Sequence, residues 1–216
     1  MQYPALVIAV SMLGGCASVA NIAAFGGGVA TGAVVAKDRG DAIITVGGGA
    51  HVGSRDVPAG STASGRGVGA SVISEGVGIA SNGGVGWAAH SRVQLGIFGD
   101  DYWFGEIDLE AGPGYLHRGN VGGGVVAGWN YGGQFDATNS IPVRAIAYWS
   151  STDVVVAASA HISYRSDSES WTGRGGELAA TFGKVGVGVR YEDQNGASVV
   201  SATAGWSLHT RMQTTK

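Results

Sequence analysis

The sequence predicts an all-β chain: an up-and-down antiparallel transmembrane β-barrel of about ten strands, with eight as the smaller alternative. Three observations predict it. Apolar residues alternate with glycine and charge over long stretches, the period-two signature of strands with two unlike faces. No helical period of useful length follows Asp41. Tight and longer connectors alternate along the chain, as in barrels with short turns at one end and loops at the other.

Composition narrows the function classes. The chain has 216 residues, a length that suits one domain, with 40 Gly and only 4 Pro. Neither a collagen period nor a polar low-complexity tract accounts for the glycine. Charged residues make up 13 %, well below the share usual in a water-soluble domain. A net charge of −3 gives no basic footprint, so nucleic acid is not an expected partner. One Cys excludes an intrachain disulfide framework.

The first element is a short apolar run, Ala5 to Leu13. As a helix it is too short to span a bilayer, but it suits the core of a signal peptide. Leu13-Gly14-Gly15-Cys16 follows. This motif resembles the bacterial lipobox, and the resemblance implies a signal peptide over 1–15, cleavage before Cys16 and lipidation of Cys16. Residues 16–41 then read as a lipidated tether. Gly26-Gly27-Gly28 disfavours one continuous helix through it, and stable acyl anchoring takes about two chains.

Ten strands are expected next, over 42–53, 66–81, 84–98, 102–117, 120–131, 141–150, 153–165, 173–183, 184–192 and 197–209. The barrel thus covers 42–209, with a tail at 210–216. In the second strand the apolar phase shifts between Val72 and Ile73, predicting a bulge there or a hairpin at Ser74-Glu75-Gly76. Asn82-Gly83 is a strong two-residue hairpin signal. Arg118-Gly119, Ser151-Thr152 and Gly183-Lys184 join later pairs as tightly. The longer connectors are 54–65, 132–140 and 166–172. Gly99-Asp100-Asp101 and the segment from Asp193 to Gly196 belong to the loop end by position, although they are short. Both ends of the barrel fall on the tight-turn side, which in an outer membrane is the periplasmic one.

Turn placement fixes which side chains meet. A turn centred on Asp100 sets Gln94 opposite Glu106, Arg92 opposite Asp108 and His90 opposite Glu110, all on one face. A turn at Gly183-Lys184 sets Glu177 opposite Arg190. Opposite charges across a strand pair contribute roughly 0.2–1 kcal/mol each. In an enclosed lumen their larger role is to leave no charge unpaired. With Arg144 and His161, these residues form the expected luminal polar network.

The opposite faces are apolar: Val85, Trp87, Val93, Leu95 and Ile97 in the third strand, Val200, Ala202, Ala204, Trp206 and Leu208 in the tenth. Aromatics sit near strand ends, including Tyr102, Trp103, Tyr115, Trp129, Tyr131, Tyr148, Trp149, Tyr164, Trp171, Tyr191 and Trp206, as interfacial girdles require. A soluble sandwich would turn polar residues outward, yet here the polar faces are mostly glycine. Gly inside a strand is destabilising unless space is limited, and a narrow lumen limits it. The strands also match the ~9–11 tilted residues that cross a bilayer. Across 42–209 the pattern resembles small bacterial outer-membrane β-barrels in general.

Catalytic signals are weak. There is no HExxH pair, no Cys/His metal cluster and no phosphate-loop sequence after Gly26-Gly27-Gly28 or Gly47-Gly48-Gly49, so no catalytic, cofactor or metal site is expected. Ser159, His161, His90 and Glu110 all face inward and contain the residue types of a Ser-His-Glu centre. His117 and His209 fall at strand ends, in solvent. The first reading is therefore a bacterial outer-membrane β-barrel lipoprotein with its N-terminus on the periplasmic side. Its partners are outer-membrane lipid and a small solute or surface ligand met through 54–65, 132–140 and 166–172, in a structural or surface-interaction role. The alternatives are a narrow passive channel and a soluble lipid-anchored β-barrel or sandwich that binds a ligand.

Overall fold

The computed structural model describes residues 41–56, 67–81, 85–98, 102–117, 120–132, 138–166, 170–194 and 197–212. The lipobox, the tether, the Asn82-Gly83 turn and most of the longer loops lie outside these residues. Among the described residues there are ten strands: β1 (Asp41–Asp56), β2 (Gly67–Ser81), β3 (Val85–Phe98), β4 (Tyr102–His117), β5 (Val121–Gly132), β6 (Thr138–Ser150), β7 (Val154–Arg165), β8 (Ser170–Phe182), β9 (Val185–Gln194) and β10 (Ala197–Met212). Each is antiparallel to its sequence neighbours, and β1 pairs with β10 to close the barrel. This is the all-β, up-and-down, ten-stranded barrel that the alternation predicts.

Closure removes every free sheet edge, so each strand satisfies its backbone groups on both sides. Local chemistry supplies the turns. Gly183 takes φ +61°, which a two-residue hairpin needs and a side chain resists. At the β6–β7 turn, Ser151 N donates to Val154 O at 2.8 Å. At the β4–β5 turn, Asn120 N donates to His117 O at 3.0 Å. β1 begins and β10 ends at this same turn end, where Ala42 faces Met212.

Most strand ends fall within a residue or two of the sequence reading, and four differ by three residues. β1 runs on to Asp56, β6 starts at Thr138 and β8 at Ser170, so the three longer loops are shorter than expected. β10 continues to Met212, which takes residues 210–212 from the expected tail into the ladder with β1. β2 is unbroken: it keeps one register against β1 and against β3, with neither bulge nor hairpin at 72–76. Its inward residues simply change character, from Gly69 and Ser71 through Glu75 to Val77 and Ile79. The register irregularity found lies on β7–β8, between Ser163 and Tyr164.

That change marks a stratified interior. Toward the turn end, Ile79, Ala88, Leu116, Val126, Ile146, Tyr148 and Val155 pack into an apolar cluster inside the barrel. Tyr148 therefore belongs to this core, 3 % exposed, and not to an outer girdle. Its partner in sequence, Trp149, does point outward. The middle of the lumen is charged.

The exterior is apolar on every strand. Large exposed side chains include Val52 on β1, Val68 on β2, Trp87 on β3, Leu109 on β4 and Val125 on β5. Ile141, Ile162, Leu178, Val189 and Val200 continue the band over β6 to β10. Outward aromatics bound it at both ends. Trp87, Tyr115, Trp149, Phe182 and Trp206 lie toward the turns, and Trp103, Trp129, Tyr131, Trp171 and Tyr191 toward the loops. Trp129 stacks on Tyr131 with ring centroids 5.9 Å apart, and Trp171 meets Tyr164 edge-on at 5.5 Å. His117 is exposed and stacks on Tyr115, as a strand-end position allows. The side chains of Leu208 and His209 lie outside the described residues.

Candidate functional site

The site is the charged middle of the lumen, and the register builds it. Gln94 faces Glu106, Arg92 faces Asp108 and His90 faces Glu110 across β3–β4; Glu177 faces Arg190 across β8–β9. All ten residues expected in the luminal network point inward: His90, Arg92, Gln94, Glu106, Asp108, Glu110, Arg144, His161, Glu177 and Arg190. Arg92 and Gln94 are 0 % exposed.

The bonds go further than neighbouring strands. Arg92 Nη2 donates to Glu75 Oε1 on β2 at 2.9 Å and to Glu177 Oε2 on β8 at 2.6 Å. Its Nη1 donates to Asp108 Oδ2 at 3.4 Å. β3 and β8 sit at opposite points of the ring, so this guanidinium spans the lumen. Arg190 crosses it a second time, donating to Gln94 Oε1 at 3.1 Å and Glu106 Oε1 at 3.0 Å, besides Glu192 on its own strand. The facing pair Glu177–Arg190 therefore exchanges partners: each reaches across to β3 or β4.

Arg144 on β6 clamps Glu110 through Nε (3.0 Å to each carboxylate oxygen) and Nη2 (2.9 Å). Such planar, charge-assisted contacts are the strong class of hydrogen bond. His90 sits between two carboxylates, with Nε2 2.6 Å from Glu75 Oε1 and Nδ1 3.3 Å from Glu110 Oε1. Asn130 on β5 donates to Asp108 Oδ1, and Ser140 donates to Asn130. Gln94 donates to Ser71 at 2.7 Å. The whole forms a bonded plug from wall to wall.

Glu75, Glu192, Asn130, Ser71 and His51 belong to the interior but are missing from the sequence-derived set. Glu192 carried a readable signal, because it alternates with Arg190 on the inner face of β9. Glu75 was hidden by the supposed break at Ser74-Glu75-Gly76. His51 Nδ1 lies 2.9 Å from Thr203 Oγ1 across the β1–β10 seam; its Nε2 is buried with no hydrogen bond among the described residues.

The chemistry of the plug is acidic. Among the described residues, six carboxylates (Glu75, Glu106, Asp108, Glu110, Glu177 and Glu192) meet three guanidinium groups (Arg92, Arg144 and Arg190) in the ion pairs of the plug. His90, Asp108 and Glu110 bring potential metal-ligand atoms within 4.8 Å of one another. Arg144 already clamps Glu110 and Arg92 already contacts Asp108, so two fixed cations stand where a metal would. Ser159 and His161 are not bonded to each other. Each lies 3.4 Å from Arg144 Nη1, which stands between them in place of a Ser–His couple.

Below the plug, toward the turns, lies a cavity of about 130 Å3. Ile73, Val77, Ile146, Tyr148, Val155 and Ala179 are among its walls; Glu75, Glu177, His90 and Arg144 line its plug side, and Thr181 and Ser207 its turn side.

No protein-family model matches this chain, and no curated protein matches it.

Proposed function

We propose that this chain is a bacterial outer-membrane β-barrel lipoprotein with a closed lumen, whose role is structural or carried by its outer loops. The observation that carries the reading is the apolar exterior: all ten strands expose large hydrophobic side chains, bounded at both ends by aromatics. Monomeric soluble proteins rarely expose contiguous apolar patches beyond a few hundred Å2. A belt around a whole barrel is far larger, and lipid is the solvent that tolerates it. The charges are held inside, the reverse of what the soluble binding-protein alternative needs. The lipobox-like Leu13-Gly14-Gly15-Cys16 supports an N-terminal anchor on the turn side, where β1 begins.

The channel alternative meets the plug. Arg92–Glu177 and Arg190–Glu106 cross the lumen and leave it bridged at mid-height. Purified full-length protein in planar bilayers is expected to show no unitary current; regular conductance steps would restore the channel reading. The membrane reading itself is tested by fractionation. The full-length chain should follow the outer membrane, and the purified chain lacking residues 1–16 should require detergent for solubility. A monodisperse monomer in detergent-free buffer would overturn it.

A further inference from the structure

We infer that the cavity beneath the plug is a binding site for a small amphipathic cation: a primary ammonium carried on an apolar body about the size of one benzene ring. The inference rests on the interior alone and holds whatever surrounds the exterior. Size comes first. A cavity of about 130 Å3 is close to the apolar cavity of ~150 Å3 that admits benzene. Its walls are aliphatic and aromatic, with Ile73, Val77, Ile146 and Val155 among them, which favours a hydrocarbon body.

The head group follows from the plug side of the cavity. Glu75 and Glu177 have the most exposed side chains of the plug's carboxylates, 23 % and 14 %, and both line the cavity. Glu75 uses Oε1 for both His90 and Arg92; Glu177 uses Oε2 for Arg92. Glu75 Oε2 and Glu177 Oε1 therefore hold no hydrogen bond among the described residues. The cations nearby are already committed, Arg144 to Glu110 and Arg92 to three carboxylates. Two free acceptors at the cavity wall and an excess of carboxylate within the plug select a positive head, and the plug's unpaired guanidinium donors, Arg92 Nε and Arg190 Nε, belong to residues outside the cavity lining. Ammonium supplies three donors and the missing charge in one group. An anionic head would face unpaired carboxylate oxygens, and a neutral one would leave the charge excess in place.

The test uses one body with three heads: 4-fluorobenzylammonium, 4-fluorobenzyl alcohol and 4-fluorobenzoate. Each is titrated by 19F NMR against the full chain in detergent micelles, with detergent alone as blank. The ammonium is expected to show saturable binding, roughly tenfold or more tighter than the alcohol, the difference a charge-assisted hydrogen bond makes. The benzoate should not saturate. Glu177→Gln should weaken the ammonium roughly tenfold while leaving the alcohol unchanged, and Ala179→Phe, which fills the cavity, should abolish both. Near-ultraviolet circular dichroism confirms that each variant retains the fold. Absence of saturable binding to the wild type, equal affinity for the alcohol, preference for the benzoate or survival of binding in a folded Ala179→Phe protein would each overturn the inference. Because the head-group comparison uses wild-type protein, it stands even if a variant fails to fold.

Discussion

Arg92 shows at the scale of one residue what an enclosed charge requires. Its guanidinium is fully buried and within 4 Å of Glu75, Glu106, Asp108 and Glu177. Taking a charge out of water is expensive unless partners replace the hydration shell. Removing one partner leaves the others uncompensated, which destabilises by about 3–5 kcal/mol. Arg92→Ala should therefore lower the unfolding midpoint strongly, as measured by urea titration in detergent or lipid. Adding Glu177→Gln to Arg92→Ala should recover part of the loss, because one stranded carboxylate is then gone. If the two changes simply added, the cross-lumen bond would have no energetic role. Asp108, which faces Arg92 across β3–β4, was legible from turn placement, because a hairpin's length fixes its pairing; Glu75, which faces it across β2–β3, was not. Its bond to Glu177 was not, since alternation says which residues face the lumen but not which of them reach across it.

Individual elements show where glycine matters and where it does not. On the β1–β10 seam Gly49 faces Gly205, and a Cβ on Gly205 would lie 2.1 Å from Gly48 O. A Cβ on Gly186 would meet nothing closer than Ser207 Cβ, at an ordinary 3.4 Å. Gly205→Ala should thus strain the closing seam, with a loss on the order of 1–3 kcal/mol. Gly186→Ala should be neutral within about 0.5 kcal/mol. Heat-dependent gel mobility and urea midpoints separate the two. Equal effects would mean that lumen space is not what selects glycine here. The high glycine content was readable as crowding, but which glycines are crowded was not. That depends on how closely adjacent strands approach, a property of twist and register together. β2 shows a related limit: its phase looked broken only under the assumption of a uniformly polar lumen. Val77 and Ile79 point inward because the turn-end half of the barrel has an apolar core.

On the scale of the whole molecule, the belt and the plug divide the labour. Val189 lies mid-belt, level with Leu178 and Ala202 and between the positions of Val185 and Tyr191. In lipid, Val189→Arg should cost about 2–4 kcal/mol, as expected at a bilayer midplane. On a water-facing surface the same change would stay within about 0.5 kcal/mol, so refolding into lipid vesicles reads out what the belt touches. The fold class, strand count and polar-in arrangement were legible because a period of two sustained over ten segments is compatible with few folds. The layered interior was not, because it is a sum over strands distant in sequence. The plug also bears on the order of assembly. Arg92 and Glu106 enter with the first hairpins, but Glu177 and Arg190 arrive only with β8 and β9. An incomplete barrel therefore holds stranded charges that its last strands neutralise. Closure then completes the interior as well as the seam: without β8 and β9, Arg92 lacks Glu177, and Gln94 and Glu106 lack Arg190.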